Sequence, residues 1–204
     1  MYLSGNEGAP PREQLVRAMA HAPKAAGGTR LRALDVGCGP GREALFLAQQ
    51  GFEVVALDPY PEMLQHAREL FARSPVDTGL ARFVRLEHAT LEDFAQTLEP
   101  SSFDLVHAGF VLPFVLPAQF DACFARLAAC LRSGGLFCGQ FFGRDDEFIR
   151  SAEPGTMSCQ SRDEIERLLE AFDIHEIDEV NRTGRIGKGR EKWWHVFHVT
   201  AERR

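Results

Sequence analysis

The chain of 204 residues lacks most of what would mark it for a membrane, a metal or nucleic acid. Its longest apolar stretch, Leu105 to Ala118, is broken by Pro113 and Pro117 and is too short to span a bilayer. Met1 to Pro11 is polar and Gly/Pro-bearing, without the apolar core of a signal peptide. None of the five cysteines (Cys38, Cys123, Cys130, Cys138, Cys159) forms a CxxC pair, and no Cys/His spacing suits zinc. A basic excess is also absent: 23 Lys and Arg stand against 29 Asp and Glu, a formal net charge of −6. That balance removes the general electrostatic drive toward phosphate backbones and anionic membranes. We therefore expect a soluble cytoplasmic protein with free thiols and no metal, whose partner is a small molecule rather than nucleic acid or membrane. What is present, 45% hydrophobic and 25% charged residues, is an ordinary globular balance at about the length of one domain.

Apolar runs alternate with helical patterns. Strands are predicted at Leu31–Val36, Glu53–Leu57, Arg82–Leu86, Phe103–Ala108 and Leu136–Phe142, and two more around Ile174–Val180 and Trp193–Thr200. Helices are predicted at Pro11–Ala20, from the glycine turn to Gln50, at Pro61–Arg73 and at Pro117–Leu131. Ser161-Arg162-Asp163-Glu164 reads as a capping box that opens a further helix to about Ala171. The fold class that follows is α/β, a doubly wound, Rossmann-like, mostly parallel sheet of seven strands. Its last two strands have no helix between them and should pair antiparallel as a C-terminal hairpin. Residues 1–30 form an N-terminal helix and linker that would cover a ligand, and residues 31–204 form the main domain.

Chemistry concentrates after the first strand, at Asp35-Val36-Gly37-Cys38-Gly39-Pro40-Gly41. Ligands of open α/β sheets bind beyond the carboxyl ends of the strands, where this turn lies. Glycines there let a ligand approach the backbone, and the following helix offers free N–H groups. Asp58 ends the second strand, placed to accept hydrogen bonds from a ribose diol. A dinucleotide site would want GxGxxG, yet Arg42 stands where its third glycine belongs.

The pattern GxGxG preceded by an acid resembles motif I of the class I S-adenosylmethionine-dependent methyltransferases. Val55-Ala56-Leu57-Asp58 resembles motif II, Phe103-Asp104-Leu105-Val106 resembles motif IV, and Leu131-Arg132-Ser133-Gly134-Gly135-Leu136 resembles the turn that follows it. Within that superfamily, Gly41 to Asp58 and the ending Trp194-His195-Val196-Phe197-His198 are most similar to small bacterial proteins related to tellurite-resistance methyltransferases. The resemblance implies S-adenosylmethionine as cofactor and methyl transfer to a small-molecule acceptor. It implies that Gly37, Cys38 and Gly39 hold the methionine end, with Asp35 near the ammonium group and Asp58, followed by Pro59, at the ribose. Ala89 and Thr90 would flank the adenine. Many relatives carry an acid where Thr90 stands, so that contact is a hydroxyl or main-chain bond or is missing. Main-chain atoms near Ala108 would touch the methionine part again.

No catalytic group is evident. Methyl transfer from a sulfonium needs mainly proximity and orientation, and a base only where the acceptor carries a high-pKa proton. Candidates are His107, on the fourth strand, Phe110, just beyond it, and His195, on the last strand. Each has a plain structural alternative, and Phe114, Phe141 and Phe142 are equally readable as pocket or core. Arg182, Arg185, Lys188, Arg190 and Lys192 form either an anion-binding lid or, as we expect, a solvated loop. Asp145-Asp146-Glu147 is expected on a surface turn. Two other functions stay open: a non-catalytic cofactor-binding or scaffold domain, and an NAD(P)-dependent oxidoreductase.

Overall fold

The computed structural model describes residues 10–25, 27–73, 75–186 and 189–204. Seven strands form one sheet in the order β3-β2-β1-β4-β5-β7-β6. They are β1 Leu31–Val36, β2 Phe52–Asp58, β3 Val84–His88, β4 Phe103–Ala108, β5 Leu131–Phe142, β6 Phe172–Arg185 and β7 Glu191–Arg203. The first five pair parallel, whereas β7 runs antiparallel to both β5 and β6. The helices are α1 Glu13–Ala18, α2 Arg42–Gln49, α3 Pro61–Phe71, α4 Pro75–Ala81, α5 Leu91–Ala95, α6 Pro117–Cys130, α7 Glu147–Ser151 and α8 Arg162–Leu168. The chain first winds outward from β1 to β3 and then returns to lay β4 on the other side of β1. That reversal opens a crevice at the carboxyl ends of β1 and β4.

Alternation along the strands feeds a core on each face of the sheet. Leu34 and Val36 of β1 join Val106 and Ala108 of β4 in a cluster covered by Phe120, Phe124 and Leu127 of α6. Ala33, Leu105 and Leu136 join the other, covered by Leu15 and Ala18 of α1 and by Ala44, Leu47 and Ala48 of α2. Asp35 and His107 are register partners that follow Ala33 and Leu105 on this second side.

Several boundaries differ from the sequence expectation. The third strand begins at Val84 rather than Arg82, because Phe83 N–H closes a turn on Leu80 O at the end of α4. The last two strands, expected around Ile174–Val180 and Trp193–Thr200, extend further and pair from Phe172↔Arg203 to Arg185↔Glu191. Arg182, Arg185 and Lys192 therefore lie on strands, while Lys188 lies outside the described residues. Among the described residues, no helix is long and apolar enough to cross a membrane.

Candidate active site

Backbone and side-chain bonds pin the turn between β1 and α2 to the end of β2. Cys38 N–H donates to Leu57 O at 2.9 Å, and Gly41 N–H donates to Cys38 O at 3.0 Å. Asp58 Oδ2 accepts from Gly39 N–H at 2.9 Å, and its Oδ1 accepts from Tyr60 N–H at 3.0 Å. Burial pushes the Asp58 carboxyl above its ordinary range, against the opposing pull of the Tyr60 and Gly39 N–H groups.

The three glycines of the turn serve different ends. A Cβ on Gly41 would fall 2.8 Å from the Ala67 Cβ of α3, and one on Gly37 would fall 3.0 Å from Val111. Gly39, at φ +52°, would place its Cβ in open space with nothing within 4 Å. Two glycines therefore permit internal packing, and the third faces open space at the corner where its N–H meets the Asp58 carboxylate. That corner, with the first turn of α2, suits a ligand carrying hydroxyl groups and a polar tail, and so fits S-adenosylmethionine.

Neighbouring turns lie at the same carboxyl end of the sheet. His88 Nε2 lies 3.0 Å from Pro59 O, which ties the ends of β2 and β3 together. Thr90 caps α5: its hydroxyl accepts from Asp93 N–H at 3.1 Å and donates to Asp93 Oδ2 at 3.0 Å. Ala89 is half-buried beside it. The hydroxyl of Thr90 is thus already engaged within its own turn.

Beneath the glycine turn lies a buried polar group that the sequence reading foresaw only in part. His107 Nδ1 meets Asp35 Oδ1 at 2.7 Å, with both residues almost wholly buried. Asp35 Oδ2 and His107 Nε2 have no hydrogen-bond partner. Burial raises the Asp35 carboxyl above its usual range and outweighs the pull of His107. Glu43, which sequence did not single out, is buried next to them and accepts from Arg42 Nε at 2.8 Å and Arg12 N–H at 3.3 Å. Burial opposes its charge, but the Arg42 hydrogen bond and the nearby His107, Arg42 and Arg12 charges hold its pKa below normal. An acid in the first turn of a helix was readable from sequence, since it complements the helix dipole. Its burial against two arginines was not.

On the β5 side of the crevice, aromatic rings gather around Phe110. This residue leaves β4 at φ +57°, and its ring meets those of Phe142, Trp194 and His198 edge-on at 6.1, 5.9 and 6.2 Å. The Arg12 guanidinium lies 4.8 Å above it. Phe110 and Trp194 are partly exposed, whereas Phe142 is buried. Phe141 points to the opposite face among Phe120, Phe124 and Phe137, and Phe114 is 55% exposed.

Lys192 departs from the solvated loop expected for it. Its side chain is fully buried, with Nζ 3.9 Å from the Trp194 ring and 4.0 Å from that of Phe148, and it pairs with Asp146. Burial draws the Lys192 ammonium below its usual pKa despite that partner. Asp146 likewise leaves the expected surface turn. It caps α7 through Phe148 N–H at 2.9 Å and accepts His195 N–H at 3.0 Å. His195 faces the other side of the sheet. Its Nδ1 accepts from Asp145 N–H at 3.2 Å, and its Nε2 lies 3.0 Å from Glu179. His198, not singled out from sequence, has a buried Nδ1 without a partner, and burial lowers its pKa. A separate cavity of about 420 Å³, lined by Arg68, Phe71, Thr78 and Leu86 among others, lies away from these groups.

Residues 34–139, just over half of the chain, match the family described as methyltransferase domain. The ubiquinone biosynthesis O-methyltransferase of Methylocella silvestris is 32% identical over 185 residues, covering 83% of this chain and 67% of that protein. An uncharacterized methyltransferase of Synechocystis is 32% identical over 106 residues, 52% of this chain and 44% of that protein. The chain thus spans less than half the length of that relative. The crystal structure of TehB from Haemophilus influenzae superposes with a TM-score of 0.69 at 16% identity, over 86% of this chain and 58% of that one, a likeness of fold. With the acid-led GxGxG turn, the acid ending β2 and the antiparallel β5-β7-β6 edge in place, the chain belongs to the methyltransferase-domain family, within the class I S-adenosylmethionine-dependent superfamily.

Proposed function

We propose that the chain transfers a methyl group from S-adenosylmethionine to a small-molecule acceptor. The observation that carries this reading is the open corner at Gly39, walled by a carboxylate that already orders the turn around it. When bound, the cofactor supplies a methyl group on a sulfonium, which is a good leaving group. The remaining lone pairs of Asp58 would accept from the ribose hydroxyls. Backbone at Gly37, Cys38 and Gly39, with main chain near Ala108, would hold the methionine end, and Asp35 would act from beneath through the turn. Pro59, Ala89 and the main chain of Thr90 would border the adenine. Of the N-terminal segment 1–30, residues 1–9 lie outside the described residues; α1, docked on the sheet, would serve as a cover.

Phe110 and Trp194 would orient the acceptor and exclude water around it. Proximity and orientation of this kind are worth roughly 7–11 kcal/mol in favourable systems, and the acceptor itself serves as nucleophile. A base is needed only where the acceptor carries a high-pKa proton that must be passed on; an acidic one passes to water. His195 is poorly placed as a base, since both of its ring nitrogens have partners. The negative net charge and the O-methyltransferase from ubiquinone biosynthesis among the relatives support a small molecule over nucleic acid. Free cysteines support a reducing, cytoplasmic setting. Arg42, folded onto Glu43 where a dinucleotide site wants glycine, weighs against an oxidoreductase.

The test is incubation with methyl-labelled S-adenosylmethionine and a panel of small phenols, amines, thiols and carboxylic acids. Label in a small-molecule product supports the proposal. Tight cofactor binding with no turnover across the panel would favour a non-catalytic binding domain.

A further inference from the structure

We propose that Gln140 is a positioning residue, which holds Phe110 in its left-handed turn and so couples the docking of α1 to the glycine turn. The functional part of this inference rests on the methyl-donor reading above.

The last register pair between β4 and β5 is Ala108↔Gly139. Beyond it the ladder ends, and the Phe110 N–H has no strand carbonyl to meet. Phe110 also adopts φ +57°, a region that is costly for any residue with a β-carbon and persists only where its surroundings enforce it. The enforcing group is one residue past Gly139: Gln140 Oε1 accepts the Phe110 N–H at 3.0 Å. Gln140 is 1% exposed, and its own amide nitrogen donates to Gln14 Oε1 of α1. Gln14 Nε2 in turn donates to Val199 O at 2.9 Å and Gly139 O at 3.3 Å. Both buried amides have every polar atom bonded, so each fixes the orientation of the next.

The turn held in this way has no slack. On one side, a Cβ at Gly109 would fall 2.7 Å from the His107 ring; on the other, one at Gly37 would fall 3.0 Å from Val111. Movement of Phe110 would carry Val111 with it, and Val111 packs on the turn assigned to the cofactor. From the α1 end, Arg12 covers the Phe110 ring and lies 3.7 Å from Glu43 of α2. Helix α1, the end of β4 and the glycine turn are thereby joined through the paired amides of Gln14 and Gln140 and through Arg12.

The test compares amide hydrogen exchange at Phe110, calorimetric affinity for S-adenosylhomocysteine, and urea stability in four variants. In Gln140→Leu, loss of both side-chain hydrogen bonds, from Phe110 N–H and to Gln14 Oε1, should speed Phe110 exchange and weaken affinity by about tenfold each. Gln140→Glu should restore both to within about threefold, because burial favours the protonated carboxyl, which offers the same acceptor and a donor to Gln14. Phe110→Gly needs no enforcement, so Phe110→Gly/Gln140→Leu should bind the probe as Phe110→Gly does. Wild-type exchange and affinity in Gln140→Leu would overturn the proposal. So would a tenfold loss from Gln140→Leu that persists in the Phe110→Gly background, or a purely global loss of stability with affinity unchanged. If Gln140→Leu does not fold, the double variant is expected to fold, and its failure to do so also overturns the proposal. Absence of probe binding in the wild type would instead overturn the methyl-donor reading, while Phe110 exchange still decides the role of Gln140 in the turn.

Discussion

Alanine at Gly39 should separate binding from folding. At φ +52° a β-carbon is strained, and the left-handed region costs a non-glycine residue roughly 1–2 kcal/mol. Nothing lies within 4 Å of the new methyl group, so no packing cost adds to that strain. For a chain of this size the melting temperature should fall by about 2–4 °C for each kcal/mol lost. The methyl group instead enters the corner assigned to the cofactor. Overfilling a fitted space costs about 1–3 kcal/mol, or roughly a five- to 150-fold loss of affinity for S-adenosylhomocysteine. Gly41→Ala is the matched control, because its methyl group would lie 2.8 Å from Ala67 and 3.0 Å from the Phe71 ring. It should lower the melting temperature more than Gly39→Ala does. Calorimetric titration and thermal melts on the two proteins provide the comparison. Wild-type affinity in Gly39→Ala would refute the assignment of that corner to the ligand.

Asp58→Ala should abolish measurable binding of S-adenosylhomocysteine and also lower stability, since two backbone N–H groups lose their acceptor; an unchanged dissociation constant contradicts the ribose assignment. Because burial raises the Asp58 pKa, its ionised form is lost at higher pH than for an ordinary aspartate. Affinity titrated from neutral pH downward should therefore decline above the usual aspartate range, and a profile flat to pH 4 would exclude a role for the Asp58 charge. Lys192→Met strands the buried Asp146 carboxylate and should cost about 3–5 kcal/mol in urea unfolding, with partial recovery in Lys192→Met/Asp146→Asn. A single variant within 1 kcal/mol of wild type, as an order-of-magnitude limit, would show that the pair is not structurally important.

The parts of this molecule that were legible in sequence are those written in local patterns. Strands β1 and β4 match their expected limits because short apolar runs are bounded by polar or glycine residues. The glycine turn and its place at the end of β1, with Asp58 ending β2, were legible because a tight strand-to-helix turn constrains residue type at fixed positions. Short helices α4, α5 and α7 escaped notice: α4 carries Gly79, α5 and α7 have only five residues each, and tertiary packing outweighs propensity in such pieces. Lys192 looked solvated because its neighbours in sequence are charged. The rings and carboxylate that bury it come from β5, α7 and β7, and local periodicity carries no trace of that meeting. Gln14 and Gln140 are equally silent, since a neutral amide within a mixed run reveals neither burial nor partner.

Everything proposed for this site depends on the corner at Gly39 and Asp58 receiving S-adenosylmethionine. Calorimetric titration of the wild-type chain with S-adenosylhomocysteine, with NADH as a parallel control, tests it most directly. The expected result is micromolar, one-to-one binding of S-adenosylhomocysteine and none of NADH. Binding of NADH alone, or of neither ligand, would contradict it.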